Sequence, residues 1–392
     1  MTHGKEIEFL CRYLEVPEVP DIDPEDVLRW FRERNPGVIC FLEGEQFSDA
    51  TQEDYIKTLE LYGVDVNPMP GPAKDVWVLV PEHPNTRYTR NDLYRRWTID
   101  EDLSLRVTTE EENADVAPFG KPRFGWFGLE LISPAQPSTI ETHREMNVVL
   151  GILKNKYADC MRVNFSCGLH VHVGMGPDPI PTVRLRRIAA LLYVLDPILA
   201  ILHPESRQNN TNWCASIRSH ANVSWGMTAL DAVNLTTPDG AGAWDVRNRA
   251  GRQPTPMRAA VRQILECVSG FAVHRLLHYQ YGKPNYNFRN YEERPQPRDR
   301  VTIEFRQHEG TLDPVAIEAW ARLCVEISAW AAFDMTETIF GQIMSAVELV
   351  ETQSGPGRPV APRWEVLRQI LVLSGSGRLV SHYAQQLGMH QQ

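Results

Sequence analysis

The sequence predicts an α+β protein organised around a β-sheet, and two observations predict it. Four short segments alternate apolar and polar residues with a period of two, as strands do. Their polar members are Glu6-x-Glu8, Glu130, His170-x-His172 and Glu304-x-Arg306. Long stretches of helical periodicity separate them, so only a sheet brings the four together. The clearest segment is Cys167-Gly168-Leu169-His170-Val171-His172-Val173-Gly174. Both imidazoles leave one strand face about 7 Å apart along the chain, and glycines bracket the run where backbone can bend or approach a ligand.

Gly4 to Tyr13 is the first predicted strand, with Glu6 and Glu8 on one face and Ile7 and Phe9 on the other. Two acids this close repel unless water or a cation screens them. Asp23 to Arg34 reads as a helix that Asp23 caps and Pro24 begins. A short strand over Val38 to Leu42 and an amphipathic helix over Thr51 to Leu61 come next. A proline-rich loop from Val64 to Pro72 follows, then strands at Val76 to Val80 and Arg95 to Ile99. The acidic runs Asp100 to Asp102 and Glu110 to Glu112 read as solvated loop. Phe124 to Ile132 is a strand in which Glu130 stands alone in apolar company, so its charge needs a partner or a cation.

Ser138 to Tyr157 reads as a helix with cap residues Ser138 and Thr139 and a core stripe of Met146, Val149, Leu150 and Leu153. After Met161 to Phe165 and the histidine strand, Thr182 to Leu202 is a helix whose Arg184, Arg186 and Arg187 face solvent. His203 to Trp225 is a polar, irregular stretch whose amides and arginines suit ligand contacts. Pro254 to Tyr281 reads as helix, Asn285 to Tyr291 as strand, and Glu292 to Arg300 as a charged turn. Val301 to Arg306 is a strand with Glu304 and Arg306 on one face; Asp313 then caps a long helix that Pro314 begins. The Gly/Pro-rich stretch from Ser354 sets the expected boundary: a catalytic domain over 1–353, then a linker and C-terminal helical appendage over 354–392.

Composition narrows the function. The 392 residues are enough for one large catalytic domain with embellishments, or for two modest ones. A net charge of −10 argues against a general nucleic-acid binder. Seven scattered cysteines, with no CxxC pair, read as reduced thiols. The N-terminus has no apolar signal core, and no apolar run reaches membrane-spanning length. We therefore expect a cytoplasmic protein with neither a nucleic-acid nor a membrane partner.

Carboxylates and imidazole for divalent cations, with an arginine for phosphate, are the parts of an ATP-dependent phosphoryl-transfer site. There is no GxxxxGK[ST] loop, kinase motif set or HExxH helix to provide another one. The segments Gly4–Phe9, Phe127–Pro134, Cys167–Gly174 and Ile303–Thr311 resemble, in order and spacing, the signature strands of the amidoligase family. These are stand-alone members, common in fungi, of the carboxylate–amine ligase superfamily of glutamine synthetase and glutamate–cysteine ligase. Lys5 departs from the apolar residue usual at that place.

The resemblance implies a glutamine-synthetase-like curved antiparallel sheet with helices on its outer side, binding ATP and Mg²⁺ or Mn²⁺. It implies that Glu6, Glu8, Glu130, His170 and Glu304 are metal ligands. His172 would lie nearer the nucleotide phosphates, and Arg306 would hold the transferring phosphoryl group. Arg207, Asn210 and Lys283 fall where the family carries ligand contacts. The implied reaction activates a carboxylic acid as its acyl phosphate and passes it to an amine or amino acid. Two other classes fit part of the pattern. One is a metal-dependent oxygenase or hydrolase using His170, His172 and one Glu; the other is a catalytically inactive, ligand-binding relative.

Overall fold

The computed structural model describes residues 1–16, 23–42, 47–66, 96–108, 123–157, 160–176, 178–208, 212–234, 253–279, 282–291, 301–353 and 360–389. The predicted strand at Val76 to Val80, most of the loop Val64 to Pro72, the run Glu110 to Glu112, Asn210, the turn Glu292 to Arg300 and most of the linker lie outside the described residues. The fold is mixed α and β, with a large, mainly antiparallel sheet and, among the described residues, twelve α-helices. The chain divides into two compact units. One is Gly4–Leu169 with Gly310–Ile317; the other is Met1–His3, His170–Glu309 and Glu318–Gln392.

The first unit runs, in chain order, through β1 (Thr2–Val16), α1 (Pro24–Arg34), β2 (Ile39–Leu42), α2 (Phe47–Leu61), β3 (Thr98–Glu101), β4 (Arg123–Ile132), β5 (Gln136–Pro137), α3 (Ile140–Tyr157) and β6 (Met161–Arg162). β1 pairs antiparallel with β4, and β4 with β3, while β2 runs parallel to the end of β1. Ile7, Phe9 and Cys11 are buried. The Phe9 ring lies 5.8 Å from Tyr55 of α2, and Tyr55 stacks on Tyr157 of α3 at 3.9 Å. Helices thus cover the apolar face of β1, which leaves Glu6 and Glu8 on the other face.

Asp23 caps α1 as expected, accepting from Glu25 N at 2.8 Å. One expectation fails here. Asp100 and Glu101 are not loop: they pair with Glu130 and Leu129 as strand β3. An available ladder edge on β4 satisfies their backbone groups, and that outweighs an acidic composition.

The second unit holds β7 (Gly168–Gly174, its first two residues in the first unit), α4 (Thr182–Leu199), α5 (Ile217–His220), α6 (Ala229–Asn234), α7 (Met257–Glu266), α8 (Gly270–Leu277), β8 (Tyr286–Asn287) and β9 (Ile303–Glu309). Then come most of α9 (Pro314–Phe333), α10 (Glu337–Gln353), α11 (Val360–Leu373) and α12 (Val380–Gln386). β9 lies between β7 and β8, with Asn287 opposite Glu304. The helices α11 and α12 belong to this same unit, where Gln386 Nε2 donates to Leu202 O at 2.9 Å.

Three expectations are corrected in this unit. The predicted helix Pro254 to Tyr281 is, over its described residues, two helices, because Cys267 turns extended and Ser269 caps a new start by accepting from Ala272 N at 3.1 Å. Asn285 to Tyr291 is strand only at Tyr286–Asn287, since Asn287 Oδ1 accepts from Arg289 N at 2.9 Å and turns the chain. Arg184 and Arg187 are not solvated. Arg184 lies 4.2 Å over Phe333, and Arg187 donates to the carbonyls of Ala331 (2.9 Å) and Met335, satisfying the C-terminal end of α9.

All seven cysteines are buried and free of disulfides. No described helix is long and apolar enough to cross a membrane.

Candidate active site

The acids of the first unit form a row across three strands. Asp100 of β3 stands opposite Glu130 of β4, which stands opposite Glu8 of β1. Residues opposite one another in an antiparallel sheet share a face, and like charges so placed are destabilising unless a proton or cation intervenes. Asp102 joins them: Glu8, Asp102 and Glu130 each offer an oxygen, all within 4.8 Å of one another. Glu8 is further fixed by Gly168 N, which donates to its Oε2 at 2.6 Å. Burial, and then the charges of Glu6, Glu8, Asp102 and Asp100, push the Glu130 carboxyl well above the usual carboxylate range.

Gly128 is why Asp102 can reach the row. Asp102 N donates to Gly128 O at 3.0 Å, and Asp102 Oδ1 accepts from Ser104 N at 2.8 Å, closing a tight turn. A Cβ on Gly128 would overlap the Asp102 carbonyl oxygen and come within 2.8 Å of Leu105 Cβ. Gly128→Ala should therefore destabilise the protein by about 1–3 kcal/mol. Thermal melts measure this, and an alanine variant melting with the parent would exclude this role for the glycine.

In the second unit the predicted residues of β7 and β9 gather around one ion pair. Arg306 donates to Glu304 Oε1, and both are more than nine-tenths buried. Glu304 Oε2 accepts from Asn287 Nδ2 at 2.8 Å. His170 Nδ1 lies 3.8 Å from Glu304 Oε1 and 3.5 Å from Arg306 Nη1. Arg306 Nε donates to the Trp213 carbonyl at 3.4 Å. His172 meets Thr302 Oγ1 at 3.0 Å, a hydroxyl that also accepts from Asn290 Nδ2. Desolvating an ion pair can cost more than the attraction returns, so burial of this kind is weak evidence for stability and marks a functional candidate.

The remaining predicted residues sit as follows. Arg207 is buried near His203 and His308, and its guanidinium lies 5.9 Å from the Trp213 ring. Burial lowers both histidines, with Arg207 adding to the effect, and His308 falls to about 4. Lys283 is exposed, and its carbonyl accepts from Ala215 N at 2.9 Å. Sequence reasoning missed Asp102 and Asn287. The Asp100-x-Asp102 spacing, the same i, i+2 pattern as in the other strands, was the available signal.

A family model described as "Putative amidoligase enzyme" matches residues 45–225 and 245–328, well over half of the chain. The protein belongs to the amidoligase family. This is the family that the four strand motifs resemble. The matched stretches of this amidoligase hold Glu130, His170, His172, Arg207, Lys283, Glu304 and Arg306, whereas Glu6 and Glu8 precede the first matched residue. No curated protein matches the amidoligase significantly.

Proposed function

We propose that this amidoligase joins a carboxylic acid to an amine or amino acid in an ATP- and Mg²⁺-dependent reaction that passes through an acyl phosphate. The observation that carries the reading is the carboxylate row, with Glu8, Asp102 and Glu130 spaced for one ion. An all-oxygen donor set suits a hard cation such as Mg²⁺ or Mn²⁺. Membership of the amidoligase family supports the bond that is made. The bound cation would neutralise charge on the β- and γ-phosphate oxygens.

The chain's own residues then have distinct work. Glu6, Glu8 and Glu130 hold cation, as do His170 and Glu304, and His172 serves the phosphates. Arg306 stabilises the equatorial oxygens of the transferring group, where charge spreads in the transition state. A substrate carboxylate oxygen attacks the γ-phosphorus and ADP leaves. The amine nitrogen then attacks the acyl carbon, phosphate leaves, and the nitrogen gives up a proton. Water must be excluded meanwhile, or the acyl phosphate hydrolyses. Among the described residues no donor group spaced for one ion contains both His170 and His172, which counts against a His/His/Glu oxygenase.

The test is a panel of carboxylic acids offered with Mg·ATP and hydroxylamine as the trapping amine. ADP, phosphate and an acyl hydroxamate should appear in equal amounts and depend on Mg²⁺. AMP and pyrophosphate would instead indicate an acyl adenylate and end the acyl-phosphate reading.

A further inference from the structure

Helix α4 carries one acid inside an apolar run, Tyr193-Val194-Leu195-Asp196-Pro197-Ile198-Leu199, and Asp196 is 1% exposed. A carboxylate in that place is costly unless hydrogen bonds replace water. Asp196 has three donors: Ser216 Oγ at 2.5 Å and Arg218 N at 2.9 Å on Oδ2, and Asn285 Nδ2 on Oδ1. Burial raises its carboxyl above the usual aspartate range, and the three donors pull in the opposite direction.

These donors lie on the two segments that hold Arg306. Ser216 begins the short helix α5 by accepting from Ser219 N at 3.2 Å, three residues after Trp213, whose carbonyl accepts from Arg306 Nε. Asn285 Oδ1 accepts from Ile217 N (3.3 Å) and Tyr286 N (3.0 Å), and Asn285 N donates to Ala215 O at 2.9 Å. The Asn285 carbonyl in turn accepts from Arg306 N at 2.9 Å. Two residues further on, Asn287 holds Glu304. Two hydrogen-bonded paths therefore lead from one buried carboxylate to the backbone and to the guanidinium of the same arginine.

We propose that Asp196 is a positioning residue for Arg306: it ties residues 213–218 to residues 283–287, and so sets the direction of the guanidinium and of its partner Glu304. Packing alone does not require an acid here, because a leucine-sized apolar side chain would suit the surrounding helix face better. The role in turnover rests on the ligase reading above, whereas the geometric role does not.

The experiment uses full-length protein labelled with ¹⁵N-arginine. The Arg306 Nε–H signal is assigned by its loss in Arg306→Lys. In Asp196→Asn the size is kept, but the new amide cannot accept from every donor. The Arg306 signal should shift and exchange faster with solvent while the thermal melt stays cooperative. ADP release from Mg·ATP with the acid panel and hydroxylamine should fall tenfold or more in kcat, with KM for ATP changed by less than about twofold.

Ser216→Ala removes one donor of three and should show the same displacement in smaller measure, which keeps the test open if Asp196→Asn does not fold. Glu351→Gln disturbs the nearby Arg218 ion pair at 2.9 Å and should leave the Arg306 signal in place. An unmoved Arg306 signal in the folded Asp196→Asn or Ser216→Ala variant overturns the proposal, and so does equal displacement by Glu351→Gln. A displaced signal in a protein without ADP release in any form would keep the positioning role and remove the ligase reading.

Discussion

Arg306→Ala is expected to lower kcat by roughly 10²–10⁵-fold, as for other arginines that stabilise a transferring phosphoryl group. The KM for Mg·ATP should change much less, because the interaction strengthens as charge redistributes toward the transition state. The structure adds a stability effect to this. Arg306 and Glu304 form a buried ion pair, and removing one partner of such a pair strands the other, at about 3–5 kcal/mol. The alanine variant therefore needs a melt beside its kinetics, and Glu304→Gln combined with Arg306→Ala should recover part of the lost stability.

Arg306→Lys keeps the charge and separates the two effects. One ammonium cannot reproduce donors that reach Glu304, His170 and the Trp213 carbonyl in different directions. A folded lysine variant with near-parental kcat would leave Arg306 a structural ion-pair partner only.

What was legible in the sequence follows from the range of the forces involved. Period-two alternation reports strand faces directly, so Glu6 and Glu8 could be set apart from Ile7 and Phe9 without a structure. The helices α1 and α9 were equally plain, because Asp23 and Asp313 cap through residues two positions away. Asp100 and Asp102 were misread because a run of acids looks solvated until a partner strand is known. That partner is Glu130, about thirty residues away, and nothing local announces the pairing. Asp196 was passed over for a similar reason. Its helix is plain in the sequence, but the donors that make an acid tolerable there come from residues 216, 218 and 285. Arg187 likewise finds its acceptors at Ala331 and Met335, at and just beyond the end of a helix far along the chain.

Glu130→Gln should abolish most of the Mg²⁺-dependent stabilisation of the protein and, without metal, make it more stable than the parent at alkaline pH. The half-buried Glu130 carboxyl titrates well above the usual glutamate range, first because its surroundings desolvate it and then because Glu6, Glu8, Asp102 and Asp100 crowd it. Between the usual value and the raised one, the native state holds a proton that the unfolded chain has already released. The metal-free parent therefore loses stability as pH rises through that window, and below the window the contribution is fully present. On the proposed reading a bound cation would displace the proton and neutralise the row, so Mg²⁺ should stabilise the parent more at pH 8 than at pH 5.5. At a metal concentration 100-fold above Kd the gain is about 2.7 kcal/mol for a single site. The glutamine variant lacks this titration and this charge, so its melting temperature should fall less than the parent's from pH 5.5 to pH 8 and respond little to Mg²⁺. Melts at the two pH values, with Mg²⁺ and with EDTA, decide the matter. A parent protein whose Mg²⁺ response is the same at both, or a variant that responds as the parent does, would remove Glu130 from the cation site.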